Sequence, residues 1–114
     1  MTAGPGQPAP GQVPAAEVPA DARLVDVREP EEWAAGHAPG AAHIPLGELG
    51  ERYMEIPQEG PVYLICRSGA RSNRAAHALA GAGWDAVNVS DGMQGWAAAG
   101  RPMTNDSGAT PYVA

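Results

Sequence analysis

The stretch that most constrains the fold runs from residue 62 to residue 72 and reads VYLICRSGARS. Four apolar or β-favouring residues lead into Cys66, the only cysteine of the 114-residue chain. A short loop containing Arg67, Gly69 and Arg71 follows, and an Ala-rich helical pattern begins at about Ser72. This order predicts a buried parallel strand that ends at a thiol, facing backbone N–H groups and the N-terminus of a helix.

The rest of the chain alternates short apolar runs with segments of helical pattern. Strands are predicted at 24–27, 42–44, 62–65 and 86–89, with a short edge strand and a helical turn within 13–18. Helices are predicted at 30–35, 46–54, 72–82 and 93–99. This alternation is typical of an α/β domain with a mainly parallel sheet. We expect that domain to span 13–103, between a disordered Pro/Gly-rich leader at 1–12 and a flexible tail at 104–114.

Composition argues against several classes of site and partner. One cysteine cannot form an internal disulfide or a Cys-rich zinc cluster, and His37, His43 and His77 are spaced too widely to predict a metal site. The net charge of −6 disfavours a nucleic-acid partner. The chain contains no long apolar run to cross a membrane and no signal-peptide pattern at its start, so a cytoplasmic location is expected.

The distribution of charge is more informative than the net charge. No acidic residue lies between Glu59 and Asp85, yet Arg67, Arg71 and Arg74 all fall in this interval. An acidic chain therefore has one locally positive segment, and that segment contains the cysteine. This arrangement favours an anion-binding mouth around Cys66, where arginine, loop N–H groups and a helix dipole would lower the pKa of the thiol.

The spacing of residues in the loop separates the kinds of anion it could hold. A Walker-type phosphate loop needs a Gly-Lys pair, and the chain has no lysine. A cysteine phosphatase loop of the Cys-x5-Arg type would need arginine where Ser72 stands. The spacing from Cys66 to Arg71 is Cys-x4-Arg, which makes a tighter loop and a smaller anion pocket. Both phosphoryl and sulfur chemistry remain open from the loop itself, and the shorter spacing favours sulfur.

Four segments resemble the motifs of one family. The segment Cys66-Arg67-Ser68-Gly69-Ala70-Arg71-Ser72 resembles the active-site loop of the single-domain rhodaneses, which are sulfurtransferases. Upstream, the segments DVRE at 26–29 and GHAPGA at 36–41 resemble two further motifs of that family, and Gly92-Met93 with Trp96, Gly100 and Pro102 resembles its C-terminal motif. The similarity extends from about residue 13 to 102 in the right order. It departs at Asp91, where the family often has the first glycine of a Gly-Gly pair.

The resemblance implies a rhodanese fold, a central parallel sheet of about five strands with helices on both faces. It also implies a mechanism in which thiolate Cys66 takes sulfur from thiosulfate or a persulfide, and the resulting Cys66 persulfide passes it to cyanide or a thiol. The N–H groups of the loop would hold the anion, with substrate-binding positions at Arg67, Ser68, Gly69, Ala70 and Arg71. The side chains of Arg67 and Arg71 would either attract the donor anion or shape the loop. Asp26, Arg28 and Ser72 are expected around this loop, where Asp26 and Arg28 would either brace it or reach the pocket. No cofactor is implied.

Two other functions remain open at this stage. One is a rhodanese-like module that relays sulfur to a protein acceptor, or binds a partner, with little turnover of small molecules. The small size of the chain and the lack of a second domain to wall off a pocket favour it, whereas the presence of Cys66 favours an enzyme. The other is a phosphatase, which the loop spacing disfavours.

Overall fold

The computed structural model describes residues 9–114. Within this range the chain forms five β-strands and four α-helices, joined by loops and 3₁₀ turns. The strands are β1 (Gly11–Val13), β2 (Arg23–Asp26), β3 (Ala42–His43), β4 (Pro61–Ile65) and β5 (Asp85–Val89). The helices are α1 (Pro30–Ala35), α2 (Leu49–Arg52), α3 (Ala70–Gly81) and α4 (Gly92–Ala98). The four strands predicted at 24–27, 42–44, 62–65 and 86–89 are confirmed to within one residue at each end.

The strands form one parallel sheet in the order β1-β5-β4-β2-β3. Strand β4 lies at its centre, where Val62, Leu64 and Ile65 are fully buried, as a strand covered on both faces requires. The chain adds β3 on one side of β2 and then crosses over to place β4 on the other side. The carboxyl ends of β2 and β4 therefore meet where the strand order reverses, which is the usual position of a ligand site in an open parallel sheet.

Two hydrophobic clusters cover the two faces of the sheet. Val62, Leu64 and Cys66 point to one face and pack with Leu79 and its neighbours on α3. Ile65 points to the other face and packs with Met93 and Trp96 of α4, among others. This alternation follows from the two-residue period of a strand. The predicted five-stranded parallel sheet with helices on both faces is confirmed.

The segment predicted as a single helix at 46–54 is broken into three pieces. A 3₁₀ turn (Leu46–Glu48) precedes α2, and a second 3₁₀ turn (Tyr53–Glu55) follows it. Gly47 and Gly50 weaken a regular helix here because glycine loses more backbone entropy than other residues on folding. The prediction of one continuous helix was wrong. Of the helices formed by residues 9–114, none has the length and apolar character needed to cross a bilayer.

Both ends of the described chain contact the domain. Residues 1–8 of the predicted leader lie outside the described residues, whereas Gly11 and Gln12 pair with Val87 and Asn88 of β5. In the predicted tail, Thr104 forms an antiparallel bridge with His37. Further on, the Tyr112 N–H donates to the Ala35 carbonyl at 3.1 Å.

Candidate active site

Cys66 directly follows the central strand and begins the loop that leads into α3. Its carbonyl accepts the Met93 N–H at 2.7 Å, and the Arg67 carbonyl accepts the Gln94 N–H at 3.0 Å. The first carbonyls of the loop are therefore held by the first turn of α4. With these carbonyls directed at α4, the following N–H groups of the loop are left to face the sulfur.

Gly69 allows the loop to close on the thiol. Its φ of 103° lies in the left-handed region, and a Cβ atom there would collide with the Ser90 carbonyl. Only glycine meets both conditions, and the resulting turn brings the Gly69 N–H to 3.1 Å from Cys66 Sγ. The first turn of α3 begins at the next residue, Ala70.

The Cys66 thiol is buried but surrounded by donors. The residue is 1% exposed, and Ser72 Oγ lies 3.2 Å from Sγ. Burial raises the pKa of the thiol, but hydrogen bonds from the Ser72 hydroxyl and from the N–H groups of Ser72, Gly69 and Ser68 lower it by more in total. The pKa of Cys66 is therefore below its ordinary value, which favours the nucleophilic thiolate.

The Ser72 hydroxyl can be tested by substitution. Ser72→Ala is expected to raise the thiol pKa and to slow alkylation by iodoacetamide at neutral pH by about tenfold or more, the effect of losing one hydrogen bond to a charged group. The measurement is the alkylation rate against pH. Asn73→Ala, one position further along α3, is the matched control and is expected to react like wild type. Equal rates for Ser72→Ala and wild type would contradict this role.

Arg71 forms an ion pair with a residue outside the loop. Its guanidinium donates two hydrogen bonds to the Glu32 carboxylate, at 2.7 and 2.8 Å, and so ties α3 to α1. The hydrogen bond from Arg71 is the main reason that the pKa of Glu32 falls to about 2. Glu32 also accepts the Glu29 N–H at 3.0 Å, which caps α1. Arg71 thus shapes the site by joining two helices, with its charge still close to Cys66.

The remaining loop residues lie at the surface. Arg67, Ser68 and Ala70 are all exposed. Among the residues that the structure describes, Arg67 has no acidic partner within ion-pair distance, in contrast to Arg71. Arg67 is therefore the loop cation that is free to meet an incoming anion.

Asp26 and Arg28 form a fully buried ion pair at the end of β2, with 2.7 Å between Arg28 Nη2 and Asp26 Oδ2. Arg28 also donates to the carbonyls of Gly36 at 2.8 Å and Glu32 at 3.2 Å. These contacts fasten the end of β2 to α1 and to the turn that follows it. Of the two roles left open by the sequence, this geometry favours bracing, because none of the hydrogen bonds within residues 9–114 joins either side chain to the Cys66 loop.

Two histidines lie around α1: His37, in the upstream motif at 36–41, and His43, which follows that motif. The ring of Trp33 stacks with both His37 and His43, with centroid distances of 3.5 and 4.7 Å. His37 Nδ1 lies 2.8 Å from the Trp33 carbonyl, and His43 Nε2 lies 2.8 Å from the Arg28 carbonyl. Both rings thus serve to hydrogen-bond the backbone around α1.

Sequence reasoning missed one residue that supports the loop. Asn88 is buried in β5, and its Oδ1 lies 2.6 Å from Ser72 Oγ. The available signal was a polar residue within the apolar run 86–89, since a buried amide needs partners. Asp91, the departure from the family motif, accepts the Ala15 N–H at 2.7 Å and so ties the start of α4 to the segment that follows β1.

The fold and the loop agree with what comparison with known proteins finds. The model of the rhodanese-like domain family matches residues 14–99 of the chain. The chain belongs to the rhodanese-like domain family.

Individual relatives and solved structures are consistent with this assignment. A protein named "Sulfurtransferase" from Allochromatium vinosum is 39% identical over 89 residues, which cover 77% of this chain and 83% of that protein. "Putative sulfur carrier protein YrkF" from Bacillus subtilis is 45% identical over 74 residues, covering 64% of this chain and only 40% of that longer protein. The crystal structure of a rhodanese-related protein from Thermoplasma volcanium has a TM-score of 0.80 at 29% identity, covering 84% of this chain and 99% of that one.

Proposed function

We propose that this chain is a sulfurtransferase that carries a sulfane sulfur as a persulfide on Cys66. The observation that carries the proposal is the convergence of the Gly69 N–H and the Ser72 hydroxyl on Cys66 Sγ. Donors aimed at this point stabilise a thiolate, and a persulfide anion one atom longer would meet the N–H groups of the same loop. Relatives named as a sulfurtransferase and a sulfur carrier support a sulfur-transfer role.

The proposed reaction has two displacement steps. In the first, the Cys66 thiolate attacks the outer sulfur of thiosulfate, a new S–S bond forms, and sulfite leaves with the electron pair of the broken S–S bond. In the second, cyanide or a thiolate attacks the terminal sulfur of the persulfide, and the Cys66 thiolate leaves. No external oxidant or reductant is needed, and the enzyme returns to its starting state, as in other ping-pong mechanisms.

Intact-protein mass spectrometry tests this proposal directly. After incubation with thiosulfate, the protein is expected to gain the mass of one sulfur atom. Added cyanide is expected to remove that sulfur and to release thiocyanate in equal amount. If neither thiosulfate nor a low-molecular-weight persulfide adds sulfur to the protein, the proposal is wrong.

Arg67 is proposed to attract the anionic donor. Arg67→Ala is expected to raise the KM for thiosulfate about fivefold with little change in kcat, as expected for losing one exposed charge contact. The effect should diminish with added salt, because exposed charges are screened. The measurement is steady-state kinetics at low and high ionic strength.

Arg74 provides the matched control for Arg67. Like Arg67 it is an exposed arginine, but it lies within α3, beyond the loop. Arg74→Ala is expected to leave the KM close to that of wild type. A similar rise in KM for both variants would point to the overall charge of the segment and not to the position of Arg67.

A sulfur-relay module with little small-molecule turnover is the second candidate. The burial of Cys66, at 1% exposure, favours this candidate, because a partner protein that displaces the loop would reach the sulfur more readily than a small molecule would. On this alternative, thiosulfate or a persulfide still loads Cys66, but cyanide and small thiols remove the sulfur slowly while a protein acceptor removes it fast. Rapid steady-state formation of thiocyanate would exclude this alternative.

A further inference from the structure

A chain of hydrogen-bonded polar side chains leads from Cys66 through Ser72 and Asn88 to Gln12. Ser72 Oγ lies 2.6 Å from Asn88 Oδ1, 3.2 Å from Cys66 Sγ and 3.3 Å from the Gly69 carbonyl oxygen. A hydroxyl has one proton to donate, so these three acceptors compete for it. The shortest of the three contacts is the one to Asn88.

The chemistry of its neighbours determines the orientation of the Asn88 amide. Its Nδ2 lies 3.3 Å from the Gly69 carbonyl oxygen and 2.9 Å from Gln12 Oε1. A backbone carbonyl can only accept a hydrogen bond, so the NH2 group must face Gly69 and the carbonyl oxygen must face Ser72. Asn88 is 2% exposed, so bulk water cannot readily replace these contacts.

We propose that Asn88 is a positioning residue for Cys66. Asn88 Oδ1 accepts the hydrogen bond of the Ser72 hydroxyl while the sulfur is neutral, and loses that hydrogen bond to the sulfur when the sulfur becomes an anion. A neutral thiol is a weak acceptor, so the proton goes to Asn88 Oδ1. A thiolate or persulfide anion is a stronger acceptor, so the hydroxyl turns to the sulfur and leaves Asn88 Oδ1 without that donor. Asn88 thereby opposes formation of the anion, while Ser72 favours it.

The consequence for chemistry rests on the proposed sulfur transfer. The nucleophilicity of a thiolate falls as its pKa falls, so an anion that is stabilised too strongly attacks slowly. By competing for the Ser72 proton, Asn88 keeps the Cys66 thiolate reactive. Gln12 of β1 lies at the solvent-exposed end of this series of hydrogen bonds. Its Nε2 donates to Asn73 Oδ1 at 2.8 Å.

Charged groups near Cys66 are the same in every variant considered below. They are the exposed Arg67 of the loop, the Arg71–Glu32 pair that joins α3 to α1, the Asp26–Arg28 pair at the end of β2, and Asp91 at the start of α4. Differences between the variants therefore report on the polar chain itself.

The test is a titration of the Cys66 thiolate by its ultraviolet absorbance, which needs neither a sulfur donor nor access to the buried sulfur. Asn88→Leu removes the nearer of the two oxygen acceptors that compete with the sulfur and leaves the more distant Gly69 carbonyl. It is expected to raise the fraction of thiolate, at a pH below the wild-type midpoint, by about fivefold, the effect of one ordinary hydrogen bond. Ser72→Ala is expected to lower that fraction. In the Ser72→Ala background, adding Asn88→Leu is expected to have no effect, because the contested proton is gone.

A purely structural role for Asn88 predicts a different pattern. Loosening the loop would remove donors from the sulfur, so Asn88→Leu would then lower the thiolate fraction or leave it unchanged. Either result, or an equal rise in the Ser72→Ala background, would overturn the proposal. Gln58→Ala, which removes an exposed amide that donates to the Gly83 carbonyl and takes no part in this chain, is the control and is expected to titrate like wild type.

A measurement on the wild-type protein covers the case in which Asn88→Leu does not fold. The side-chain NH2 resonances of Asn88 are expected to shift with the titration of Cys66, because the Ser72 hydroxyl leaves Asn88 Oδ1 as the thiolate forms. In Ser72→Ala the Asn88 resonances should not follow that titration. If they follow it equally in both proteins, the proposal is wrong. Because no sulfur donor is present, these results stand apart from whether the chain transfers sulfur.

Discussion

Replacing Cys66 with serine is expected to abolish sulfur loading and to reduce thiocyanate formation to the rate without protein. A serine hydroxyl is not ionised near neutral pH, so it cannot replace the thiolate in the first displacement. Since Cys66 is the only cysteine in the chain, no other thiol can take over. The measurements are the intact mass after treatment with thiosulfate and the steady-state rate with cyanide.

Serine is nearly isosteric with cysteine, so the variant should keep the fold. Circular dichroism of Cys66→Ser is therefore expected to match wild type, which separates loss of the nucleophile from loss of structure. Wild-type protein alkylated at Cys66 is a second control and is expected to be equally inactive. If Cys66→Ser still gained one sulfur from thiosulfate, the sulfur would reside elsewhere and the role of Cys66 would be refuted.

Replacing Arg28 with methionine is expected to reduce the free energy of unfolding by about 3–5 kcal/mol, the usual effect of breaking a buried ion pair on one side. The change leaves the fully buried Asp26 carboxylate without its partner and removes the donor from the Gly36 carbonyl. The free energy of unfolding of native proteins is about 5–15 kcal/mol, so the variant is expected to lose a substantial part of it. The measurement is urea denaturation followed by circular dichroism.

Two further variants show whether burial of the charge is the cause. Arg52→Met removes an arginine that pairs with Glu48 and Glu55 on the surface, and is expected to change stability little because exposed ion pairs contribute little. Asp26→Leu combined with Arg28→Met removes both buried charges and should recover much of the stability lost in the single variant. A loss in Arg52→Met as large as that in Arg28→Met would contradict this explanation.

The strand, loop and helix around Cys66 could be predicted because the signals are local. The apolar run before Cys66, the glycine at position 69 and the small residues of α3 act within about twenty residues of one another. Gly69 in particular is required by a positive φ, which depends on the turn itself. The helix expected at 46–54 failed for an equally local reason, since glycines at 47 and 50 interrupt it.

The partners of the loop could not be predicted because they come from distant parts of the chain. The sequence left open whether Arg71 attracts the anion or shapes the loop, because its partner Glu32 is 39 residues away and holds it at 2.7 Å only in the folded chain. The Asn88 amide reaches Ser72 only because β5 lies beside β4 in the sheet. Gln12, assigned by sequence to the leader, reaches Asn88 because β1 adds to the outer edge of β5.

The sequence by itself determined how strands and helices alternate along the chain, the position of the single nucleophile and the tight loop that follows it. These features depend on residues close together in the chain, whose periodicity and backbone preferences act without the rest of the molecule. Only the tertiary structure decided which arginine is free, which polar groups surround the buried sulfur and how Asp26 and Arg28 are used. Such pairings depend on the order of the strands within the sheet, which brings together side chains up to 76 residues apart. Packing of the sheet and helices then excludes the water that would otherwise solvate them.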